Sequence, residues 1–151
     1  MQFELAGPRE KLYFDPGKTR DGIVTCGGLC PGLNDVIYSI FLELNNAYGI
    51  KEVLGFRGGY QGHDPDCKLE PIILSSEFVD DIHKEGGTVL GTSRGPVDVS
   101  HAVDNLIARG INILFTIGGD GTRRGGNTLF QALSEVVLPI QQIRYLSLIH
   151  I

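Results

Sequence analysis

One acidic residue and three glycines stand together directly after an apolar run of the chain. Residues 117–122 read IGGDGT and follow the apolar run 111–115. A glycine turn between a strand and a helix lets the backbone approach phosphate oxygens, and free N–H groups at the helix start point toward them. Asp120 is suited to hold a divalent cation beside those phosphates. The segment therefore predicts a phosphate-binding site with a cation.

The surroundings of Asp120 admit two interpretations. At the predicted end of a buried strand, an unpaired charge would be destabilising, and a bound cation would relieve that penalty. Alternatively, Asp120 is an ordinary capping residue for a helix that begins near Thr122. Gly121 leaves room beside the carboxylate for an inner phosphate of a nucleotide, whereas an acidic side chain there would repel it.

Two further glycine-rich segments offer related chemistry. Residues 26–34 read CGGLCPGLN, and N–H groups at the following helix start suit a phosphate, although a glycine pair also serves simple tight turns. Residues 86–96 read GGTVLGTSRGP and hold Arg94, which either neutralises a phosphoryl group or is a solvated surface residue. Arg123 and Arg124 either help to bind anions or are simply exposed.

Strands and helices alternate along the chain, and these elements must position the three glycine-rich segments. Apolar runs predict strands at 22–26, 51–56, 88–90 and 111–117. Periodicity and capping residues predict helices at 33–48, from Ser75 or Ser76 to the glycines at 86–87, from Asp98 or Ser100 to 109, and at 122–135. Residues 55–62 are too rich in glycine for regular structure. The order predicts an α/β fold, a Rossmann-like parallel sheet with flanking helices in three layers, with the site at the carboxyl ends of the strands.

Composition excludes several classes of protein. The 151 residues carry a net charge of −5 and show no basic stripe, which argues against binding to nucleic acid. No apolar run is long enough for a membrane span, and the start lacks a secretory signal, so a cytoplasmic location is expected. Three cysteines do not suggest a disulfide framework or a metal site. The four histidines show no metal or triad spacing, and we predict them to be surface or loop residues.

Five segments together resemble the phosphofructokinase family, in particular its longer plant, trypanosomatid and bacterial branch. In chain order they are AGPRE at 6–10, IVTCGGLCPGLND at 23–35, the segment 55–60, GGTVLGTSRGP at 86–96 and NILFTIGGDGT at 112–122. They extend over about residues 5 to 130 and are far more specific as a co-linear set than any one of them alone.

The resemblance implies an ATP-dependent 6-phosphofructokinase, a glycolytic kinase that transfers the γ-phosphate of ATP to fructose 6-phosphate with Mg²⁺. Asp120 would hold Mg²⁺, and Arg94 and Thr122 would support catalysis. Nucleotide-binding residues by motif position would be Gly27, Gly28, Arg94, Gly95, Gly119, Asp120, Gly121, Thr122 and Gly125. Because pyrophosphate-dependent members tend to carry an acidic residue in place of Gly121, ATP is the expected donor.

The resemblance also shows a departure. The family continues into a Pro-x-Thr-Ile-Asp-Asn-Asp segment whose first aspartate is the general base, whereas residues 138–151 read LPIQQIRYLSLIHI. We therefore expect an N-terminal extension at 1–21, the N-terminal nucleotide-binding part of a phosphofructokinase at 22–137, and an atypical truncated tail at 138–151. On this interpretation the sheet is incomplete at the C-terminus, the chain alone has no turnover, and the full-length protein forms a homo-oligomer.

Three alternatives stay open. A pyrophosphate-dependent phosphofructokinase would share most of these motifs. NAD kinases and diacylglycerol kinases also contain GGDGT, but they do not usually carry the upstream TCGGLCPGLN segment. A noncatalytic, nucleotide-binding regulatory piece would keep the binding residues without the chemistry.

Overall fold

The fold is a mixed five-stranded sheet with helices on both faces. The computed structural model describes residues 12–137 and, for the backbone, residues 144–147. The strands are β1 (Arg20–Thr25), β2 (Glu52–Phe56), β3 (Ile72–Ile73), β4 (Ile113–Ile117) and β5 (Arg144–Ser147). Their order in the sheet is β3-β2-β1-β4-β5. The β1 strand runs parallel to β2 and β4, and β5 runs parallel to β4.

The predicted layering is confirmed, but the prediction of a parallel sheet is wrong at one edge. The two-residue strand β3 pairs antiparallel with β2, opposite Leu54 and Gly55. No crossover helix separates these strands, because the chain between them turns back through two short 3₁₀ helices, Gly59–His63 and Pro65–Cys67. A parallel neighbour needs a crossover connection that returns the chain to the same end of the sheet.

Within the described residues, four α-helices flank the sheet: α1 (Leu33–Leu42), α2 (Ser76–Val79), α3 (Val99–Ala108) and α4 (Asp120–Val137). Two of the predicted capping residues are confirmed. The Ser75 side chain accepts the N–H of Phe78 at 3.1 Å, and the Asp98 carboxylate accepts the N–H of His101 at 3.1 Å. Each bond satisfies an N–H group that has no partner within its helix. None of the helices in the described part of the chain has the length and apolar character to cross a membrane.

Several predicted bounds differ from the structure. The first helix ends as an α-helix at Leu42 and continues as a π-helical turn, Glu43–Ala47. The helix predicted from Ser75 or Ser76 to the glycines at 86–87 is one α-helical turn followed by the 3₁₀ helix Ile82–Lys84. The strand predicted at 88–90 is a turn, because the N–H of Gly91 donates to the Thr88 carbonyl at 3.0 Å. The loop predicted at 55–62 contains the 3₁₀ helix Gly59–His63.

Two apolar clusters hold the layers together. On one face of the sheet Ile23, Val53 and Phe115 pack with α1 and α2, and on the other face the alternate strand residues pack with α3 and α4. The parallel strands β1 and β4 are direct neighbours, so their carboxyl ends lie side by side. The two predicted glycine turns leave the sheet from these two ends.

Some predictions concern residues outside those the structure describes. They include the matching segment 6–10, the first eleven residues of the predicted extension 1–21, and most of the predicted tail 138–151. Within that tail, residues 144–147 form β5, which was not among the predicted strands. The division of the chain into an extension, a nucleotide-binding part and a tail stays a prediction.

Candidate phosphate-binding site

The turns that follow β1 and β4 meet. Gly27 has φ +85°, in the left-handed region, and a Cβ atom built on it would lie 3.5 Å from the Thr122 hydroxyl oxygen. That hydroxyl donates to the carbonyl oxygen of Cys26 at 3.2 Å. A kinase site requires these two turns to face a common space, and the contact between Thr122 and Cys26 brings them together.

Gly118 makes this close approach possible. Its φ of +153° is a conformation that side chains rarely adopt, and an added Cβ would overlap both the Thr122 side chain and the Cys26 carbonyl oxygen. Gly118 was predicted only as one of the three glycines of the turn and was not among the predicted nucleotide-binding residues. Its position directly after an apolar strand was the available signal, but the contact with Cys26 arises only in the folded chain.

The Arg94 segment joins the first turn from the side of β2. The N–H of Gly27 donates to the Ser93 carbonyl at 3.3 Å, and the Thr92 hydroxyl donates back to the Gly27 carbonyl at 2.8 Å. The Nη2 atom of Arg94 lies 3.2 Å from where a Cβ of Gly28 would stand. The predicted residues Gly27, Gly28 and Arg94 are therefore one contact group.

Buried polar side chains that were not among the predicted site residues fix the Arg94 segment. The Asn34 amide donates to the Glu85 carbonyl at 3.0 Å and accepts the N–H of Val89 at 2.9 Å. The Thr25 hydroxyl donates to the Gly91 carbonyl at 2.8 Å and lies 2.9 Å from the Thr88 hydroxyl. These bonds hold the loop before Arg94 against the first turn of α1 and the end of β1.

Asp120 is the first residue of α4, and its side chain is 71% exposed. The expectation that its charge is buried and needs a cation for that reason is wrong, because water solvates it. The helix begins at Asp120 and not near Thr122, so the carboxylate lies in the first turn, where the helix dipole favours negative charge. Arg123 approaches it at 4.0 Å.

Space around Asp120 suits a magnesium ion that is shared with a phosphate. Nothing lies within 4 Å of a Cβ built on Gly119 or on Gly121. Among the described residues, no cluster of three or more His, Cys, Asp or Glu side chains could bind a metal by itself. Mg²⁺ in nucleotide sites is commonly held by one or two carboxylates together with phosphate oxygens and water. A single exposed aspartate with open space on both sides fits that arrangement.

The two remaining predicted glycines contact the 3₁₀ helix Gly59–His63. A Cβ built on Gly95 would lie 3.0 Å from the Gln61 amide nitrogen, and one built on Gly125 would lie 2.7 Å from the Tyr60 ring. Both glycines thus lie at the rim of the same group of loops. Arg123 and Arg124 are exposed on α4.

Two titratable groups near the site are buried, and burial keeps both of them uncharged at neutral pH. Burial raises the pKa of the Cys26 thiol to about 12, only partly offset by a backbone N–H from Tyr60, so the thiol stays protonated. The prediction that His63 is a surface or loop residue is wrong about its exposure, since its side chain is fully buried with its ring centroid 4.2 Å from that of Phe56. Burial, and secondarily the positive charge of Arg109, lower the pKa of His63 to about 4. His83 and His101 are exposed, as predicted, and His150 lies outside the described residues.

Comparison with known proteins decides the family. The family model described as phosphofructokinase matches residues 20–146, which is most of the chain. The chain belongs to the phosphofructokinase family. The resemblance inferred from the five segments is thereby confirmed.

Relatives with high sequence identity come from distant organisms. An ATP-dependent 6-phosphofructokinase of Trypanosoma cruzi is 55% identical over 122 residues, covering 81% of this chain and 25% of the relative. The ATP-dependent 6-phosphofructokinase 7 of Arabidopsis thaliana is 48% identical over 133 residues, covering 88% of this chain and 27% of the relative. The chain thus spans about a quarter of the length of these phosphofructokinases.

Solved structures agree on the fold. Phosphofructokinase from Saccharomyces cerevisiae superimposes with a TM-score of 0.67 at 27% identity, covering 83% of this chain and 18% of the yeast chain. A pyrophosphate-dependent phosphofructokinase from Marinobacter aquaeolei gives a TM-score of 0.70 at 17% identity, covering 84% of this chain and 32% of the other. At the latter identity the likeness shows the fold alone.

Proposed function

We propose that this chain is the N-terminal nucleotide-binding part of an ATP-dependent 6-phosphofructokinase. The whole enzyme would transfer the γ-phosphate of ATP to fructose 6-phosphate, a phosphotransferase step of glycolysis. The observation that carries the proposal is the meeting of Gly27, Arg94 and Thr122 at the carboxyl ends of neighbouring parallel strands. Ligands of open α/β sheets bind at such ends.

Each predicted residue has a role in this proposal. The backbone N–H groups of the Gly27-Gly28 turn and of the first turn of α4 bind the phosphates, since a helix N-terminus attracts anions. Asp120 holds Mg²⁺, which supplies charge neutralisation to the phosphates when bound. Arg94 neutralises the charge of the phosphoryl group. Thr122 supports the site by tying α4 to the first turn, and Gly95, Gly119, Gly121 and Gly125 border the nucleotide.

The proposed donor is ATP. Gly121 carries no side chain and faces open space, so an inner phosphate can approach Asp120 without a second carboxylate nearby. The relatives from Trypanosoma cruzi and Arabidopsis thaliana are named as ATP-dependent enzymes. Pyrophosphate dependence is the second candidate, because a pyrophosphate-dependent enzyme shares the fold.

Properties of the whole protein are proposals of the same kind. We propose fructose 6-phosphate as its acceptor, a homo-oligomer as its assembly and the cytoplasm as its location. One Arabidopsis relative is named as chloroplastic, so location varies within the family. Because the 151-residue chain lacks the general-base motif in its sequence, we propose that it binds nucleotide without turnover.

Calorimetric titration of the chain with Mg-ATP tests the proposal. The unchanged chain should bind Mg-ATP, Asp120→Ala should bind much more weakly, and removal of Mg²⁺ with a chelator should have little further effect on that variant. Asp104→Ala is the matched control, because it removes an exposed aspartate from α3 and should leave binding unchanged. A chain that binds no Mg-ATP, or binds it equally well without Asp120, contradicts the proposal.

Two further measurements separate the alternatives. Titration with magnesium pyrophosphate in place of Mg-ATP distinguishes the donors, since tighter binding of pyrophosphate would favour the second candidate. A coupled assay of a full-length form with fructose 6-phosphate distinguishes an enzyme from a noncatalytic regulatory protein. Ordinary kinase rates from the 151-residue chain itself would contradict the proposal that this part only binds.

A further inference from the structure

The 3₁₀ helix Gly59–His63 contacts all three segments of the candidate site. A Cβ built on Gly59 would lie 2.9 Å from the Ser93 nitrogen, so this helix packs directly on the segment that carries Arg94. The backbone N–H of Tyr60 donates to the Cys26 thiol in the first turn. The Tyr60 side chain then extends to α4. None of the roles predicted for the site residues explains why this 3₁₀ helix contacts all three segments.

Two contacts join Tyr60 to the first turns of α4. Its hydroxyl donates to the carbonyl oxygen of Thr122 at 2.8 Å, and its ring lies against Gly125. A carbonyl oxygen has two lone pairs, so Thr122 can accept from Tyr60 in addition to an N–H within the helix. A Cβ at residue 125 would stand 2.7 Å from the ring carbon Cε2, closer than side chains tolerate. The close approach of the Tyr60 ring is therefore a structural reason for a glycine at position 125.

The strand order shows which parts of the site the contact between Tyr60 and α4 connects. Tyr60 follows β2, α4 follows β4, and β1 lies between these two strands. The Tyr60 side chain thus connects the elements on either side of the Gly27-Gly28 turn. The N–H groups of that turn and those of the α4 start bind the same phosphate chain only when their relative placement is fixed.

We propose that Tyr60 is a positioning residue that fixes the first turn of α4, and with it Asp120, relative to the Gly27-Gly28 turn. This inference rests on the proposed function, because it names the residue that sets the geometry of that same phosphate site. Tyr60 acts through Thr122 and Gly125, and Gly125 acts by receiving the Tyr60 ring.

Tyr60→Phe tests the hydroxyl, because it keeps the ring and removes only the bond to Thr122. Titration of the chain should show Mg-ATP binding weaker by roughly threefold to tenfold, the range expected for one net hydrogen bond. Binding of magnesium tripolyphosphate, which has no base or ribose, should weaken by the same factor. The binding stoichiometry should stay unchanged, whereas partial unfolding would lower the stoichiometry. Tyr38→Phe on α1, whose ring packs against His83, is the matched control and should change neither affinity.

The ring contact has its own test. In the unchanged chain, Gly125→Ala should lower the unfolding midpoint and weaken tripolyphosphate binding, because the new methyl group displaces the Tyr60 ring. In a Tyr60→Ala background the same substitution should raise the midpoint, since alanine favours a helix over glycine and the ring is gone. An equal effect of Gly125→Ala in both backgrounds overturns the role of the contact.

The outcomes distinguish this inference from the proposed function. A chain that binds neither Mg-ATP nor magnesium tripolyphosphate overturns both. A chain that binds them and keeps both affinities in Tyr60→Phe overturns only the role of Tyr60. Loss of ATP affinity with unchanged tripolyphosphate affinity also overturns it, because Tyr60 would then act on the base or ribose.

Discussion

Thr25 and Asp21 lie near opposite ends of β1, and both side chains are fully buried on the same face of the sheet. At the carboxyl end, the Thr25 hydroxyl is bonded to both the Gly91 carbonyl and the Thr88 hydroxyl. At the amino end, neither oxygen of Asp21 has a hydrogen-bond partner. One strand thus contains both a satisfied and an unsatisfied buried polar group.

The same difference in hydrogen bonding separates the carboxyl edge of the sheet, where the candidate site lies, from the interior. At the carboxyl edge of the sheet, Asn34, Thr92 and Thr122 each bond to a backbone group of another segment. In the interior of the described chain, buried side-chain oxygens of Asp21 and Thr116 lack partners. Glycine turns contribute little apolar packing, so cross-segment hydrogen bonds must hold the site, whereas apolar packing holds the interior despite its unpaired groups.

The largest effect is expected from a substitution at the carboxyl edge of the sheet, where the two glycine turns meet. Gly118→Ala should destabilise the chain by roughly 3 kcal/mol or more and abolish Mg-ATP binding, because the new methyl group overlaps Thr122 and Cys26 while φ is unfavourable. Denaturant unfolding and titration measure the two effects. Gly119→Ala is the adjacent control for stability, since nothing lies within 4 Å of its added Cβ. Equal losses of stability from both substitutions would show that the turns do not meet as described.

The second prediction concerns Asp21, whose carboxylate has no hydrogen-bond partner, and the dependence of stability on pH. Burial raises the pKa of Asp21 from 3.8 to about 7, so between these pH values the folded chain holds a proton that the unfolded chain has released. Stability should therefore fall as pH rises from about 4 to about 7. The variant Asp21→Asn has a similar shape and no titration. Relative to this variant, the unchanged chain should lose roughly 2 to 3 kcal/mol between pH 5 and pH 8.

His63 does not disturb this measurement. Its pKa is lowered to about 4, so its own contribution is lost as pH falls through the range from 6.5 to about 4, and this change is common to both proteins. Urea unfolding of the two proteins across the pH range gives the difference directly. A difference that stays constant from pH 5 to pH 8 would mean that Asp21 is ionised in the folded chain.

The sequence predicted those elements whose signal is local. The apolar run before residue 118 and the glycine turn after it indicated β4 and a helix after the turn, because side-chain period and turn chemistry are set by neighbouring residues. Ser75 and Asp98 were predicted as possible caps for the same reason, since each bonds an N–H three residues ahead. The co-linear motifs then located the site.

The contacts between distant segments could not be read in this way. Asn34 bonds to residues more than 50 positions later, and Tyr60 bonds to Thr122, 62 positions away. Nothing in the local pattern around His63 indicated that it would be buried, because its burial depends on Phe56 and on α3 closing over it. The antiparallel strand β3, only two residues long, carries too few residues for a detectable period.

The third prediction concerns the open space beside Asp120 at the site edge, where a substitution can add a charge. Gly121→Asp should weaken Mg-ATP binding about tenfold, because a second carboxylate beside Asp120 repels the phosphates. Stability should not fall, since the position is exposed and the start of a helix favours an acidic residue. Gly121→Asn adds the same volume without the charge and should bind nearly as well as the unchanged chain. Equal weakening by both variants would indicate a steric effect and remove the argument for ATP over pyrophosphate.

The smallest expected effect compares one hydroxyl from each region. Thr25→Val removes a bonded hydroxyl and leaves the Gly91 carbonyl unpaired, so it should destabilise the chain by about 1 to 2 kcal/mol. Thr116→Val removes a buried hydroxyl that has no partner and should be neutral or slightly stabilising, because the unpaired polar group is replaced by a methyl group of similar size. Both substitutions are nearly isosteric, both lie in neighbouring central strands, and both are measured by the same unfolding experiment. If the two variants lose the same stability, hydrogen bonding does not distinguish the site edge from the interior, and the order of the site has to come from packing alone.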